Sequence, residues 1–110
     1  MVVADLNPQP ADRVVRELRA LGPGAEFVPT DVSKSADMQV LVERALACFG
    51  RVDIMVNNAG MSHPNQPMLS VSEEFFDRLY AVNVKSIYLS AMQCVPVFRR
   101  QGGGCFINIG

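Results

Sequence analysis

Tryptophan is absent from the 110-residue sequence, histidine occurs once and cysteine three times. Because His63 is the sole histidine and no Cys-x-x-C pair occurs, we expect no metal site. The odd number and wide spacing of Cys48, Cys94 and Cys105 fit reduced thiols in the cytoplasm better than a disulfide framework. The longest apolar stretch, residues 86–98, is too short to span a bilayer and contains a proline, so we expect no membrane span.

An excess of charge of one sign is also lacking. Ten basic and eleven acidic residues leave a net charge of −1 at pH 7, which argues against nucleic acid or a membrane surface as a partner. Hydrophobic residues make up 49% of the chain and charged residues 19%, so a core is available and disorder is not expected. The length predicts one domain over residues 1–110.

Short apolar runs alternate with helical patterns along the chain. The apolar runs predict four strands, at residues 1–4, 27–30, 52–56 and 105–109, and a helix is predicted after each of the first three. Strands that alternate with helices are typical of parallel sheets with right-handed crossovers. The predicted fold class is therefore α/β with a doubly wound parallel sheet, in which ligands bind beyond the carboxyl ends of the strands.

The ends of the three helices are predicted from capping residues. Gly22 and Pro23 end the first helix, whose apolar face is Val14, Val15, Leu18 and Leu21. Ser33 or Ser35 begins the second helix and Gly50 ends it. The third, which reaches about Arg100, begins with a capping box of Ser70 and Glu73 or, alternatively, with Ser72 as the cap.

Polar residues follow each of the first three predicted strands. A carboxylate at Asp5 can accept both hydroxyls of an adenosine ribose, or it can be a solvated turn residue. Asp31 can bind an adenine amino group or cap the following helix. The segment Asn57-Asn58-Ala59-Gly60 offers donors, acceptors and close backbone access to a flat ligand, or it forms an ordinary turn.

Asn83 interrupts the apolar stripe of the third helix. A buried amide without hydrogen-bond partners costs on the order of 1–3 kcal/mol. Asn83 is therefore predicted either to be satisfied by a neighbouring backbone or to order a water or a catalytic group. Its neighbours on the predicted inward stripe are Phe76, Leu79, Ile87, Ala91, Cys94 and Phe98.

The same helix is apolar nearly all round, with Lys85 as the only charge between Asn83 and Phe98. One face of a sheet cannot cover all of that surface, so a second partner is implied. We predict a subunit interface over residues 83–98, in a homodimer or a homotetramer.

Taken together and in this order, five segments resemble the short-chain dehydrogenase/reductase family over the whole chain. They are Ala4-Asp5-Leu6, Thr30-Asp31-Val32, Asn57-Asn58-Ala59-Gly60, Val82-Asn83-Val84, and Gly-Cys-Phe-Ile-Asn-Ile at residues 104–109. The resemblance implies a Rossmann-type fold, a nicotinamide cofactor, and hydride transfer between an alcohol and a ketone.

The resemblance also implies roles for individual residues. Asn83 is the asparagine of the family's catalytic set and anchors a proton-relay water. Asp5 favours NAD over NADP, because its charge repels a 2′-phosphate and the next basic residue is Arg13. The cofactor-binding residues implied are Asp5 and Leu6 at the adenosine ribose, Asp31 and Val32 at the adenine, and Asn58, Ala59 and Gly60 behind the cofactor.

Two of the family's motifs are missing. Neither the glycine-rich phosphate loop Gly-x-x-x-Gly-x-Gly nor the catalytic Tyr-x-x-x-Lys occurs, since Val84 and Met92 follow Tyr80 and Tyr88 at that offset. The resemblance therefore implies a partial NAD(P)-binding domain of about four strands and three helices, without the family's first strand. Such a chain is expected to be poorly stable alone and to bind NAD weakly or not at all.

Two other functions remain as alternatives. One is a non-catalytic remnant that pairs through the long helix. The other is a flavodoxin-like or receiver-like signalling domain, which also has acidic residues at strand ends. Against the receiver, Asp53 opens its strand, and the segment of residues 57–60 has no role there.

Overall fold

The computed structural model describes residues 1–22 and 24–110. Within these residues, four strands alternate with helices, and each strand lies within two residues of its predicted position. The elements are β1 (Val2–Asp5), α1 (Pro8–Leu21), β2 (Glu26–Pro29), α2 (Ser35–Phe49), β3 (Ile54–Asn57), a 3₁₀ turn (Met68–Ser70), α3 (Glu73–Tyr80), a π turn (Ala81–Lys85), α4 (Ser86–Gln101) and β4 (Cys105–Asn108).

Helix α1 begins at Asn7, whose side chain accepts the Gln9 N–H at 3.1 Å. It ends at Gly22 as predicted, while Pro23 lies outside the described residues. The predicted apolar face is wrong in part. The buried residues of this helix are Ala11 and Val15, whereas Val14 and Leu21 are exposed.

Helix α2 is not capped by a serine. Its N-cap is Lys34, with no side-chain hydrogen bond, because the Ser33 hydroxyl donates instead to Asp31. At the other end Gly50 adopts a φ of 77° and donates its N–H to the Leu46 carbonyl, which is the left-handed cap that favours glycine. The predicted end of the helix is therefore confirmed and its predicted serine cap is wrong.

The long third helix is divided. Ser72 accepts the Phe75 N–H at 3.1 Å and caps α3, so the alternative cap is confirmed and the Ser70–Glu73 box is wrong. Between α3 and α4 the hydrogen bonding loosens into the π turn that contains Asn83. A π turn inside a helix accommodates one extra residue and occurs frequently at functional sites.

The inward face of this helix also differs from the prediction. Asn83 and Phe76, which were predicted to face inward, are exposed, whereas Ser86 and Ser90 are buried. Their hydroxyls donate to the carbonyls of Val82 and Ile87, at 2.6 and 2.9 Å, so the helix itself satisfies them. Because the helix is apolar nearly all round, hydrophobic spacing alone does not determine which face packs inward. The buried residues of the π turn and α4 are Val82, Ser86, Leu89, Ser90, Cys94, Val97 and Phe98.

The described strands form two separate parallel pairs. Val2 lies opposite Glu26 in the pair of β1 with β2, and Ile54 lies opposite Cys105 in the pair of β3 with β4. No ladder joins β1 to β3 in this part of the chain. The architecture is therefore a Rossmann-like α/β fold with an incomplete sheet, as predicted.

Helices α2 and α4 hold the two pairs together. One buried cluster joins Val28 of β2 to Leu41 of α2 and Leu89 of α4. A second joins Val42 of α2 to Phe98 of α4, and Met55 of β3 packs against both clusters. The core thus lies between the helices and the strands. Along the described residues we find no helix that is both long and apolar enough to cross a membrane.

The core position of Cys94 predicts selective thiol chemistry. Burial raises the pKa of the Cys94 thiol to about 11, whereas Cys48 and Cys105 are exposed. We expect iodoacetamide at mildly alkaline pH to alkylate Cys48 and Cys105 in the folded chain, and Cys94 only after denaturation. Intact mass spectrometry before and after urea checks this. Equal labelling of all three cysteines under native conditions contradicts the buried position.

Candidate active site

A cleft of about 1080 Å³ lies between the unpaired edges of β1 and β3. Ala4 of β1 and Val56 of β3 line its walls. All seven residues predicted to bind the cofactor line the same cleft. They are Asp5, Leu6, Asp31, Val32, Asn58, Ala59 and Gly60.

Asp5 lies at the end of β1 and has an exposed side chain. Its Oδ1 accepts the Asn7 N–H at 2.8 Å, and its main-chain carbonyl accepts the Thr30 N–H at 3.0 Å. The carboxylate therefore shapes the turn after β1 and still faces the cleft. The two interpretations made from the sequence, turn residue and ligand acceptor, are structurally compatible. Leu6 follows it and is also exposed.

Asp31 follows β2 and is 7% exposed. Its Oδ1 accepts two hydrogen bonds from Ser33, from the hydroxyl at 2.6 Å and from the N–H at 3.0 Å. Its Oδ2 lies 3.6 Å from Arg78 Nη1 and 3.9 Å from Lys34 Nζ. The Asp31 N–H donates to Asp37 at 2.8 Å.

These contacts keep Asp31 ionised. The hydrogen bonds from Ser33, together with the charges of Arg78 and Lys34, hold the pKa of Asp31 below its ordinary value, although burial acts in the opposite direction. Oδ2 pairs only at distances longer than a hydrogen bond, so it remains available to accept one from a ligand. The next residue, Val32, is half-buried and packs against the first core cluster.

The segment after β3 lies beside Asn83. Asn57 Nδ2 donates to Asn108 Oδ1 at 2.8 Å, which ties the ends of β3 and β4 together. At Gly60, a Cβ would lie 3.5 Å from Asn83 Oδ1, so the π turn approaches this segment closely. Asn58 and Ala59, with Gly60, form the wall of the cleft at the carboxyl end of β3.

The Asn83 side chain forms two hydrogen bonds with the backbone of Met61. Its Oδ1 accepts the Met61 N–H and its Nδ2 donates to the Met61 carbonyl, both at 2.8 Å. The prediction of a buried amide is wrong, because Asn83 is exposed on the π turn. The prediction that a neighbouring backbone satisfies the amide is confirmed. Asn83 itself does not line the cleft, but Met61, which it holds, does.

Arg78 belongs to this site although sequence reasoning missed it. Arg78 reaches the cleft from α3 and pairs with Asp31, which lies in a distant part of the sequence. No local pattern signals such a pair, because Arg78 alone resembles any exposed charged residue on a helix. The two hydrogen bonds between Asn83 and the Met61 backbone are likewise a contact that the sequence does not reveal.

The hydrogen-bond acceptors of the cleft suit a nucleoside. Asp5 and Asp31 present carboxylate oxygens in the cleft, and such oxygens accept hydrogen bonds from ribose hydroxyls and purine amino groups. The two cleft guanidinium groups, Arg51 and Arg78, are paired with Asp53 at 2.7 Å and with Asp31. Among the residues that the structure covers, no cluster of three or more His, Cys, Asp or Glu side chains has metal-site geometry.

Parallel strands, crossover helices and polar residues at the carboxyl ends of the strands define a Rossmann-type domain. A family model described as short chain dehydrogenase matches residues 1–110. The chain belongs to the short-chain dehydrogenase family. This membership favours the oxidoreductase interpretation over the receiver-like one.

Curated relatives match nearly the whole chain. A 4-formylbenzenesulfonate dehydrogenase of Comamonas testosteroni is 47% identical over 109 residues, covering 99% of this chain and 43% of that protein. A 7alpha-hydroxysteroid dehydrogenase of Escherichia coli is 32% identical over 109 residues, covering 99% of this chain and 42% of that protein. The chain thus spans less than half the length of these relatives.

Solved structures show the same fold. A 3-ketoacyl-(acyl-carrier-protein) reductase from Brucella melitensis, complexed with NADH, superposes with a TM-score of 0.87 at 40% identity, over 97% of this chain and 45% of that one. A metagenomic short-chain oxidoreductase in complex with NADP gives a TM-score of 0.91 at 32% identity, over 99% of this chain and 49% of that one.

Proposed function

We propose that this chain is the central part of an NAD-dependent oxidoreductase that transfers a hydride between the cofactor and an alcohol or ketone substrate. The observation that carries the proposal is the convergence of all seven predicted cofactor residues on one cleft. We further propose that residues 1–110 form a single, partial cofactor-binding domain. The nicotinamide ring, when bound, supplies or accepts the hydride.

The chain's own residues would bind the adenosine half of the cofactor. Asp5 accepts hydrogen bonds from the ribose hydroxyls and Asp31 Oδ2 accepts one from the adenine amino group. NAD is preferred over NADP because Asp5 repels a 2′-phosphate. The nearest base in sequence, Arg13, is paired with Glu17 on α1 at 2.9 Å, which supports this preference.

Asn83 would act at the catalytic end of the site. Its side chain fixes Met61 and so fixes the loop that follows Asn58, Ala59 and Gly60. In the proposed role, Asn83 and the loop that it fixes order a water for proton transfer. The sequence contains neither the glycine-rich phosphate loop nor the Tyr-x-x-x-Lys motif, so we propose that the groups that bind pyrophosphate and donate the substrate proton lie outside residues 1–110.

The cleft between β1 and β3 is the proposed place of the family's first strand. Both strands present an unpaired edge to it, and apolar side chains such as Val2 and Ile54 line it. A strand inserted there would pair with both edges and convert the two pairs into one continuous sheet. Pairing would also close the cleft around its carboxyl-end residues.

The outer face of α3, the π turn and α4 is proposed as the subunit interface. Five large side chains at intervals of four residues remain exposed along it, and three of them lie within the predicted interface of residues 83–98. They are Phe76, Tyr80, Val84, Tyr88 and Met92.

A charge placed on this face should dissociate the oligomer. Val84 is 48% exposed and Val40, on α2, is 54% exposed, so Val40→Asp is a matched control for Val84→Asp. We expect Val84→Asp to convert a dimer or tetramer to monomers in the protein as the cell makes it, because a buried unpaired carboxylate opposes association. Val40→Asp should leave the assembly intact. Sedimentation velocity measures both, and an unchanged Val84→Asp oligomer contradicts the interface.

We also propose that the protein works in the cytoplasm. The exposed free thiols of Cys48 and Cys105 support this, because such thiols persist in a reducing compartment. Fractionation of the source cells tests it, and recovery of the protein outside the cytoplasm contradicts it.

The proposed activity is tested on the protein as the cell makes it, whose intact mass is measured first. We expect NAD to be reduced in the presence of a panel of secondary alcohols, and ketones to be reduced by NADH faster than by NADPH. The absorbance of the reduced nicotinamide reports both reactions. If neither cofactor binds and a mass of 12.0 kDa is found, the non-catalytic remnant replaces the enzyme.

A further inference from the structure

We propose that Arg78 positions Asp31 for the adenine end of the cofactor, and that the helix carrying it holds together the two loops that form the site. This inference rests on the proposed function. Arg78 acts through Asp31, so it is a positioning residue rather than a catalytic one.

The first argument is the asymmetry of the Asp31 carboxylate. Ser33 occupies Oδ1 with two hydrogen bonds, which fixes the plane of the carboxylate. Oδ2 points toward Arg78 Nη1 at 3.6 Å and Lys34 Nζ at 3.9 Å. The Asp31 side chain is 9% exposed, so this oxygen lies in a confined place beside the cleft. A purine amino group is a donor that fits such an oxygen.

The second argument concerns the elements that carry the two positive charges beside Asp31. Lys34 lies three residues after Asp31 in the same turn, and its side chain is largely exposed. Arg78 comes from α3, a separate element, and is less exposed. The contact of Arg78 therefore sets the distance between the loop after β2 and the helix, whereas the contact of Lys34 is local.

The third argument is that the same helical stretch, formed by α3 and the π turn, also binds the loop after β3. Asn83 lies five residues after Arg78 on the continuous helical stretch and binds the Met61 backbone at both of its polar atoms. The two strand pairs share no ladder among the described residues. The helical stretch thus links Asp31 of one pair to Met61 of the other, across the cleft that both residues line.

The test compares two cofactors in the protein as the cell makes it. Reduced nicotinamide mononucleotide carries the reacting ring but no adenosine, so it does not use Asp31. We expect Arg78→Gln to raise the Kd and KM for NADH about tenfold, the effect of a lost charged contact. The kcat with saturating NADH and the KM for the mononucleotide should stay unchanged. Arg78→Lys should recover part of the NADH affinity.

A double substitution separates positioning from a general structural role. If Arg78 acts through Asp31, Arg78→Gln should have little further effect in the Asp31→Asn background. Arg16→Gln, an exposed arginine on α1 outside the cleft, is the matched control and should change nothing. A tenfold loss in the Asp31→Asn background as well, or equal losses with both cofactors, overturns the inference. If the unsubstituted protein binds neither cofactor, the proposed function fails and the inference fails with it.

Discussion

Residues 1–110 expressed alone should unfold at a far lower urea concentration than the protein as the cell makes it, and should bind NAD with a Kd well above the micromolar range. The reason is the open cleft between β1 and β3. Both edges lack a partner strand there, and Ile54 and Val56 of β3 are 56% and 50% exposed. These are positions that a continuous sheet would bury.

The expected difference in the free energy of unfolding is large. Burial of one exposed Ile or Val side chain contributes about 1.5–3 kcal/mol, and each backbone hydrogen bond contributes about 0.5–1.5 kcal/mol net. An inserted strand would supply several of each, so its absence costs on the order of 5 kcal/mol. That is comparable to the whole stability of a small domain.

Two measurements on the same samples check this prediction. Urea unfolding followed by circular dichroism gives the free energy of unfolding, and calorimetric titration with NAD gives the Kd. The protein as the cell makes it is the control for both. A micromolar Kd for the isolated 110 residues contradicts the prediction. It would show that the residues lining the open cleft bind NAD without a strand between β1 and β3.

Replacing Asn83 by Ala in the protein as the cell makes it should lower kcat by about a hundredfold, the scale of lost proton-transfer assistance. The substitution removes the two hydrogen bonds to Met61 and frees the loop after residues 58–60. If Asn83 orders a water there, the substrate proton loses its path. The affinity for NAD should change less, because Asp5 and Asp31 are untouched.

A matched amide serves as the control for Asn83. Gln39 is exposed on α2, and its side-chain amide nitrogen Nε2 donates a hydrogen bond to Glu43 one turn later on the same helix. Gln39→Ala should leave kcat unchanged. The free energy of unfolding is measured for both variants, so that a loss of folded protein is not mistaken for a loss of rate. An Asn83→Ala enzyme with undiminished kcat contradicts the catalytic role.

The strands and the strand-end residues were predictable because their signals are local. Asp5, Asp31 and the segment of residues 57–60 follow short apolar runs, and the carboxyl ends of parallel strands in such a fold meet at one edge. The structure places all of them in one cleft. Their roles in binding a cofactor stay a prediction.

The orientation of the third helix was not predictable from hydrophobic spacing. The two buried serines, Ser86 and Ser90, read as polar positions, yet the helix carbonyls satisfy their hydroxyls. Asn83 reads as a buried position, yet the π turn presents it to Met61. Backbone hydrogen bonding decides both cases, and side-chain hydropathy does not report it.

The partnership of Arg78 with Asp31 is a tertiary contact between residues far apart in sequence. An exposed arginine on a helix has many possible partners, and the sequence ranks none of them. The Ser33 hydroxyl is similar, because it bonds to Asp31 instead of capping α2. Around Asp31, therefore, only the acidic residue itself was found from the sequence.

The π turn also makes this part of the chain unusually tolerant of a change in length. Each residue of a regular α-helix turns the chain by about 100°, so a deletion there would rotate everything that follows it. The π turn instead takes up one extra residue within its wider winding. Deleting one residue within 81–85 other than Asn83 should therefore restore α-helical winding and leave α3 and α4 near their present relative rotation, with Arg78 still beside Asp31. When genomes are compared, a one-codon difference in this turn is therefore weaker evidence of a lost site than the same difference in the middle of α4.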